Sequence, residues 1–413
     1  MSITLIKQLS WRYLRGKRSG NAVPVLSRIS MVAIAVGAGA MIVLFSVFNG
    51  FEGIVKEMYK AFYPDVKVTT AKGKFFSIDD ETFQQLKTVD GVAVVSSVLE
   101  DNVLLQSETE ERVATIKGVD KEYFKVNNVE PYVQEGNCAV TAEGIPTAVV
   151  GTRLMAELGL DVYNVFNRMI AFYPNPKATP GTFSLSPDNA FTSLKLRPDG
   201  EFTIQDEFDS KYVLADIGLV QSLVMEEGKY SSIELAIKPG YDVFDVKEEI
   251  QSLLGAKYDV ATRYEQNRTL YLVMRSEKWA VYGILVLVLL IAAFNMVGAL
   301  SLLVMEKQKD ISILKAMGAT NGDVSKVFVT EGVLWSLLGG GVGLLIGGLL
   351  CFGQQQFGWI KLGGSFIIDA YPVQLQLSDF VLILATVAVI GMLAAWFPSV
   401  RASRIQTISL RAD

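Results

Sequence analysis

The sequence predicts an α-helical membrane domain of four transmembrane helices, plus a large extracytoplasmic α/β domain carrying a β-rich inserted subdomain. Three observations lead there. Half of the 413 residues are hydrophobic, and they gather in four charge-free blocks. Basic residues flank those blocks on one side of the implied membrane. A long acidic stretch with alternating strand-like and helix-like patterns separates the first block from the second.

The blocks cover residues 29–51, 279–305, 332–360 and 380–400, each bounded by charges such as Arg28, Glu52, Lys278, Glu331 and Asp379. A helix rises about 1.5 Å per residue and the hydrocarbon layer is about 30 Å thick, so roughly 20 apolar residues cross it. Every block reaches that length, whereas a buried helix of a soluble protein would meet a charge sooner. The first block is too long for the core of a cleaved signal peptide and is read as an uncleaved signal anchor.

Orientation follows from the basic residues. Residues 1–28, read as an amphipathic segment, carry Lys7, Arg12, Arg15, Lys17, Arg18 and Arg28 and no acidic residue. The loop 306–331 carries Lys307, Lys309, Lys315 and Lys326, and the tail 401–413 carries Arg401, Arg404 and Arg411. The positive-inside rule therefore places both termini and the 306–331 loop in the cytoplasm, with 52–278 and 361–379 outside.

The outer segment holds 36 acidic and 24 basic residues, which disfavours nucleic acid as a partner. Its ends read as matching halves of one α/β subdomain, 52–100 and 223–278. The first half shows a strand at 65–70, a helix near 77–89 with Ser77 as a possible cap, and a β-branched run at Val92–Gln106. The second half shows a strand at 231–238, a helix at Val243–Leu254 and a strand at 257–262. Residues 101–222 form the inserted β-rich subdomain, with strand Arg112–Gly118 and a helical piece at Thr152–Leu158. Helical patterning over Phe51–Phe62 and Tyr264–Lys278 is read as two stalks. Cys138 and Cys351 are too far apart in this scheme to pair, and the sequence has no disulfide framework.

Several chemistries are excluded. The chain has no histidine, so it offers no His-based acid/base pair, triad or zinc site. It has no phosphate-cradling G-x-x-x-x-G-K-[ST] loop. Ionisable residues are absent from the four apolar blocks, against the usual design of an ion-coupled carrier. No catalytic residue, metal or cofactor is assigned to this chain, and energy, if used, must come from a cytoplasmic partner.

The most specific segment is Met305–Gly332. Its first part is an amphipathic helix with Ile311, Leu314 and Met317 on one stripe, broken at Gly318. A second helix, capped by Thr320 or Asn321, leads into the third span. The first helix suits either docking on another protein or lying on the membrane surface.

This segment, together with Ala292–Leu300 (A-A-F-N-M-V-G-A-L), Ser46–Glu52 (S-V-F-N-G-F-E) and Phe397–Ile405, resembles the lipoprotein-releasing ABC transporter permeases of the LolC/LolE type. These sit within the wider FtsX-like and MacB permease superfamily. The resemblance covers essentially the whole chain, although Ile405–Arg411 lacks the proline usual before the family's closing A-L-R. It implies a bacterial inner-membrane permease that extracts lipoproteins and passes them to a periplasmic carrier. The implied partners are a second permease copy or a paralogue, and two copies of an ABC ATPase that binds ATP and Mg. A coupling helix at Glu306–Met317 would rest on that ATPase through Glu306, Lys307, Lys309, Ile311, Leu314, Lys315 and Met317. The alternatives are a MacB-like exporter of small molecules or peptides and an FtsX-like signalling protein.

Two further features stand out. Gly339, Gly343 and Gly347 form one small face on the third span, suited to close helix packing or to flexibility. Ala171–Lys195 holds Pro174, Pro176, Pro180 and Pro187. By pattern alone this stretch reads either as a binding element or as an ordinary long connection; from the family resemblance, Tyr173, Pro174, Pro176 and Phe183 are expected to form a carrier-binding loop.

Overall fold

A computed structural model describes residues 22–140, 144–164, 166–175, 190–362 and 370–404. The first elements are helix α1 (Ala22–Lys60), strand β1 (Val66–Thr70), helix α2 (Asp80–Thr88), and strands β2 (Val92–Gln106) and β3 (Glu111–Val119). Then come β4 (Val133–Gly136), β5 (Thr147–Gly151), helix α3 (Thr152–Glu157), β6 (Met169–Pro174), β7 (Phe191–Phe202) and β8 (Tyr212–Asp216). Helix α4 (Ile217–Val224), β9 (Ser232–Ile237), α5 (Val243–Leu254) and β10 (Tyr258–Thr262) complete the mixed region. The chain ends with helices α6 (Arg268–Glu306), α7 (Gln308–Ala316), α8 (Asn321–Phe357) and α9 (Leu377–Ser403). By contacts the chain divides into a membrane unit, residues 1–54 with 272–413, and an extramembrane unit, residues 55–271.

Among the described residues, four helices are long and apolar enough to cross a membrane: α1, α6, α8 and α9. In lipid every backbone polar group must find its partner within the segment, which is why long apolar runs become uninterrupted helices. All four are longer than their apolar blocks or are shifted from them. The apolar run marks where charge stops, but the hydrogen-bonded ladder continues until a breaker or a cap ends it. As a result, Glu331 and Asp379, the outer limits of two blocks, lie inside α8 and α9 and are buried. Helix α8 stops at Phe357, three residues short of its block, because Gly358 takes a left-handed conformation (φ 57°) and caps it.

The interior of the membrane unit is a single apolar cluster that includes Ile34, Met41, Phe45, Leu289, Met296, Phe328 and Ile383. Helices α8 and α9 pack through small residues. A Cβ on Gly332 would stand 2.4 Å from Ala395 Cβ, and one on Gly340 would stand 2.8 Å from Val387.

The extramembrane unit is built on one hydrogen-bonded sheet in the order β10-β1-β9-β2-β3-β8-β5-β7-β4, with β6 pairing β2 and β7. Strand β2, at 15 residues, is the shared spine: its first part pairs with β9, and its last residues pair with β3 and β6. The residue 100/101 boundary expected between the two subdomains therefore falls inside a strand, and no linker separates them. The side-chain cores do divide near it. Val66, Leu86, Ile233, Val246 and Ile250 form one core under α2 and α5. Leu105, Ile116, Val150, Leu154 and Val220 form a second, under α3 and α4. A third gathers Tyr59, Phe62, Val98, Tyr123, Phe202 and Phe208.

Helices α2 and α5 start where side chains cap them. Asp79, rather than Ser77, accepts from Thr82 N at 2.9 Å and opens α2, while Asp242 accepts from Phe244 N at 2.8 Å and opens α5. Beside the third core lies a buried charge pair, Lys117 Nζ to Glu234 Oε1 at 2.8 Å, with side chains 3% and 0% exposed. Asn127 Nδ2 donates to the other Glu234 oxygen at 2.5 Å. Burial opposes the charge on Lys117, but Glu234, Tyr123 and Glu100 together outweigh it and hold the ammonium well above its ordinary value. Lys67 lies 3.5 Å from Glu100, and there too burial raises the carboxyl while Lys67 and Lys117 together hold it below the usual range.

Candidate functional site

The short loop helix α7 lies between two membrane spans. Its residues are positioned by α6, whose ladder runs almost directly into it: Lys307 N donates to Leu303 O at 3.0 Å, and Ile311 N in turn donates to Lys307 O at 3.0 Å. The helix ends at Gly318, whose φ of 92° demands glycine. Thr320 and Asp323 then form a reciprocal capping box that restarts the chain as α8.

The sequence stripe Ile311–Leu314–Met317 is divided in the structure. Ile311 is buried in the core of the membrane unit and Leu314 is half-buried, whereas Met317 is 79% exposed. Ile313, one turn before Met317 on the same side, is 55% exposed. At 100° per residue, positions 311 and 314 share a face, while 313 and 317 share another, about 110° round the helix. The helix turns Ile311, the first member of its sequence-evident apolar stripe, into its own bundle, and the outward apolar pair is Ile313 and Met317. Periodicity alone does not say which of two faces a helix offers to a partner; the burial of Ile311 does.

The charges of this segment take distinct places. Lys315 Nζ donates to Ser403 O at 2.7 Å and so ties α7 to the end of α9. Lys307 pairs with Asp310 at 3.2 Å within the helix. Glu306 and Lys309 are exposed. The outward surface is thus an apolar pair with charged neighbours, suited to protein contact rather than to chemistry.

The glycine face of α8 is packed against α1 of the same chain. A Cβ on Gly343 would stand 2.0 Å from Ala35 O, one on Gly339 2.7 Å from Met31 O, and one on Gly347 2.5 Å from Ile42 Cγ2. Gly39 reciprocates, its Cβ position lying 3.1 Å from Gly343 O. Outside this seam is an apolar groove of about 550 Å³, lined by residues such as Val36, Val43, Ile346 and Leu350.

In the extramembrane unit, Tyr173 and Pro174 end strand β6, opposite Thr192 and Phe191 of β7. Tyr173 packs beside the second core, and its hydroxyl donates to Asp101 Oδ2 at 2.9 Å. Burial and that hydrogen bond push its phenol up to about 12. Tyr173 is therefore an anchor at the base of the proline-rich loop, held by Asp101, which also takes an ion pair from Lys74. Pro174 and Phe191 are exposed beside it. Pro176 and Phe183 lie outside the described residues.

Comparison with known proteins agrees with this architecture. The profile of the MacB-like periplasmic core domain matches residues 27–253, more than half of the chain. The chain belongs to this family. The profile of the FtsX-like permease C-terminal domain matches residues 282–407, which take in α7, α8 and α9 of this MacB-like chain.

Among curated relatives, the lipoprotein-releasing system transmembrane protein LolE of Haemophilus influenzae is 25% identical over 421 residues, covering 96% of this chain and 97% of that one. LolC of Xylella fastidiosa is 25% identical over 412 residues, covering 96% and 95%. The macrolide export ATP-binding/permease protein MacB of Shigella sonnei is 22% identical, covering 98% of this chain and 60% of that one. The MacB-like chain is an ABC transporter permease of the Lol/MacB/FtsX type.

Proposed function

We propose that this chain is the permease subunit of an ATP-driven transporter that extracts lipoproteins from the inner membrane and hands them to a periplasmic carrier. The observation that carries the reading is the extent of its likeness to lipoprotein-releasing transmembrane proteins. The alignments span both the membrane and the extramembrane units, with at least 95% of each relative covered.

In this reading both termini and α7 face the cytoplasm, and the extramembrane unit lies in the periplasm. The basic residues around α7 and the acidic balance of residues 52–278 support that orientation. ATP and Mg belong to a separate ABC ATPase, present in two copies, against which Ile313 and Met317 of α7 pack. The alignment to MacB supports a separate ATPase: a protein named for both ATP-binding and permease functions has 60% of its length matched by this chain. A second permease copy or a paralogue completes the membrane part, and the proline-rich loop beyond Tyr173 meets the carrier.

The same alignment to MacB favours one other reading, an exporter of small molecules or peptides. Reconstitution separates the two. The chain would be co-purified with its ABC ATPase from the native host and placed in proteoliposomes bearing a lipid-anchored lipoprotein. ATP-dependent appearance of the lipoprotein on a soluble carrier is the expected result. ATP hydrolysis with no release of lipoprotein, and with uptake or efflux of a small solute instead, would refute the proposal.

A further inference from the structure

In the membrane unit, α1 and α6 run antiparallel along an apolar seam. A Cβ on Gly37 would stand 2.5 Å from Leu289 Cδ2, and the rings of Phe45 and Tyr282 lie 6.0 Å apart. Four residues further along each helix the seam turns polar. Lys278 Nζ donates to Asn49 Oδ1 at 2.7 Å, above the Phe45 ring at 5.3 Å. Asn49 Nδ2 donates to Asp379 Oδ2 at 2.6 Å, and Lys278 reaches the other Asp379 oxygen at 3.4 Å. Asn49 and Asp379 are almost wholly buried.

The approach to α9 is fitted to the same spot. Gln374 N donates to Ser46 O at 2.8 Å, and Asn49 Nδ2 also reaches Gln374 O at 3.3 Å. A Cβ on Gly50 would stand 2.6 Å from the carbonyl of Pro372, so only glycine allows the segment to lie this close. Phe51 meets Tyr371 edge-on at 5.3 Å. The S-V-F-N-G-F run thus supplies a carbonyl, an amide, a gap and a ring to a single junction.

An apolar helix seam in lipid fixes its register only through the fit of side chains, such as Leu289 against Gly37. That fit discriminates weakly, because the surrounding lipid is no less apolar than the contacts a slide of one turn gives up. A buried amide does discriminate, because a shift of one turn, about 5.4 Å, leaves its donor and its acceptor without partners. A single buried Asn fixes register in coiled coils for this reason.

We propose that Asn49, Lys278 and Asp379 form a register lock, which holds α1, α6 and α9 at one axial alignment and makes them move together at that level. The amide is suited to the task because it offers an acceptor to the cation and a donor to the anion. The inference rests on the membrane unit alone and stands whether or not the transported species is a lipoprotein.

Crosslinking of the full-length chain in native membranes tests it. Cys138 and Cys351 are first replaced by Ala. A Phe45→Cys change is then combined with Tyr282→Cys, which is in register, or with Val286→Cys, one turn away, and treated with a short bismaleimide. With Asn49 intact, the in-register pair should dominate. Asn49→Leu should cut the preference about tenfold, as expected for loss of a buried hydrogen bond. An unchanged preference overturns the proposal.

Should Asn49→Leu fail to accumulate, the charge swap decides. Lys278→Asp combined with Asp379→Lys keeps both partners for an amide that has turned over, so it should restore the in-register crosslink that Lys278→Asp alone loses. A swap that behaves like the single change overturns the proposal equally.

Discussion

Lys315 donates to the backbone carbonyl of Ser403 across 2.7 Å, which fastens the loop helix α7 to the far end of α9. With Ile311 buried beneath it, that contact leaves α7 no freedom to present its inner stripe to another protein. A force applied at Met317 would therefore be passed to the bundle by α7 acting as a lever.

The two faces of α7 should respond differently to an added charge. Ile311→Asp buries an unpaired carboxylate and should lower bundle stability by several kcal/mol. Met317→Asp changes an exposed position and should leave stability within about 0.5 kcal/mol, while abolishing stimulation of the partner ATPase. Thermal unfolding in detergent and ATPase assays of the co-purified complex measure both. A Met317→Asp complex with full stimulation would show that this face is not the docking face.

Glycines in α8 offer a paired test of packing. Gly343→Ala would set a methyl group 2.0 Å from Ala35 O, whereas a Cβ on Gly341 meets nothing within 4 Å. The first change should destabilise the solubilised chain by about 1–3 kcal/mol as overpacking. The second should stabilise it by up to about 1 kcal/mol through helix propensity. Equal effects on the thermal midpoint would contradict the close approach of α8 to α1.

Breaking the buried pair in the extramembrane unit should be costly. Glu234→Leu alone strands the Lys117 ammonium and should cost about 3–5 kcal/mol, whereas Lys117→Met with Glu234→Leu should recover much of it. A double variant as unstable as the single, by denaturant or thermal unfolding, would mean that the charges themselves are needed.

Acid should strengthen one site rather than weaken it. Burial pushes Asp209, whose Oδ1 accepts from Ile204 N at 2.8 Å, from its ordinary 3.8 up to about 6. Its folded pKa is raised, so between those two values the native state binds more protons than the unfolded state does. This carboxylate's contribution to stability therefore falls as pH rises from about 4 to about 6. Asp209→Asn keeps the acceptor and removes the titration, so its stability relative to the wild type should rise across that window. A difference that does not vary with pH would contradict this assignment.

Much of the architecture is written in local patterns. The β-branched run Val92–Gln106 is a single strand with the same limits, and the stripe Val246–Ile250–Leu254 gives helix α5 its buried face. What the pattern could not reveal depends on tertiary contact. Residues 52–100 and 223–278 read as matching halves of one subdomain, which puts an edge at residue 100, yet β2 passes through it to pair with strands on both sides of that edge.

The site followed the same division. Gly339, Gly343 and Gly347 are visible from spacing alone, since small residues four apart share one helix face. That Ile313 rather than Leu314 faces outward is decided by what covers Ile311, which lies on other helices. Tyr173 reads as an exposed anchor beside prolines, but Asp101, far away in the chain, claims its hydroxyl. Lys278 and Asp379 read as plain span limits in the sequence, because a charge beside an apolar run marks the membrane edge and says nothing of its partner. The N-G-F run was the one local signal of their junction.

Fractionation of the native host after depletion of this chain tests the central claim most directly, with lipoproteins in the inner and outer membranes quantified by mass spectrometry. The account predicts that outer-membrane lipoproteins accumulate in the inner membrane as the permease is lost and return to the outer membrane on re-expression. An unchanged distribution, with lipoproteins reaching the outer membrane at the normal rate, would contradict it.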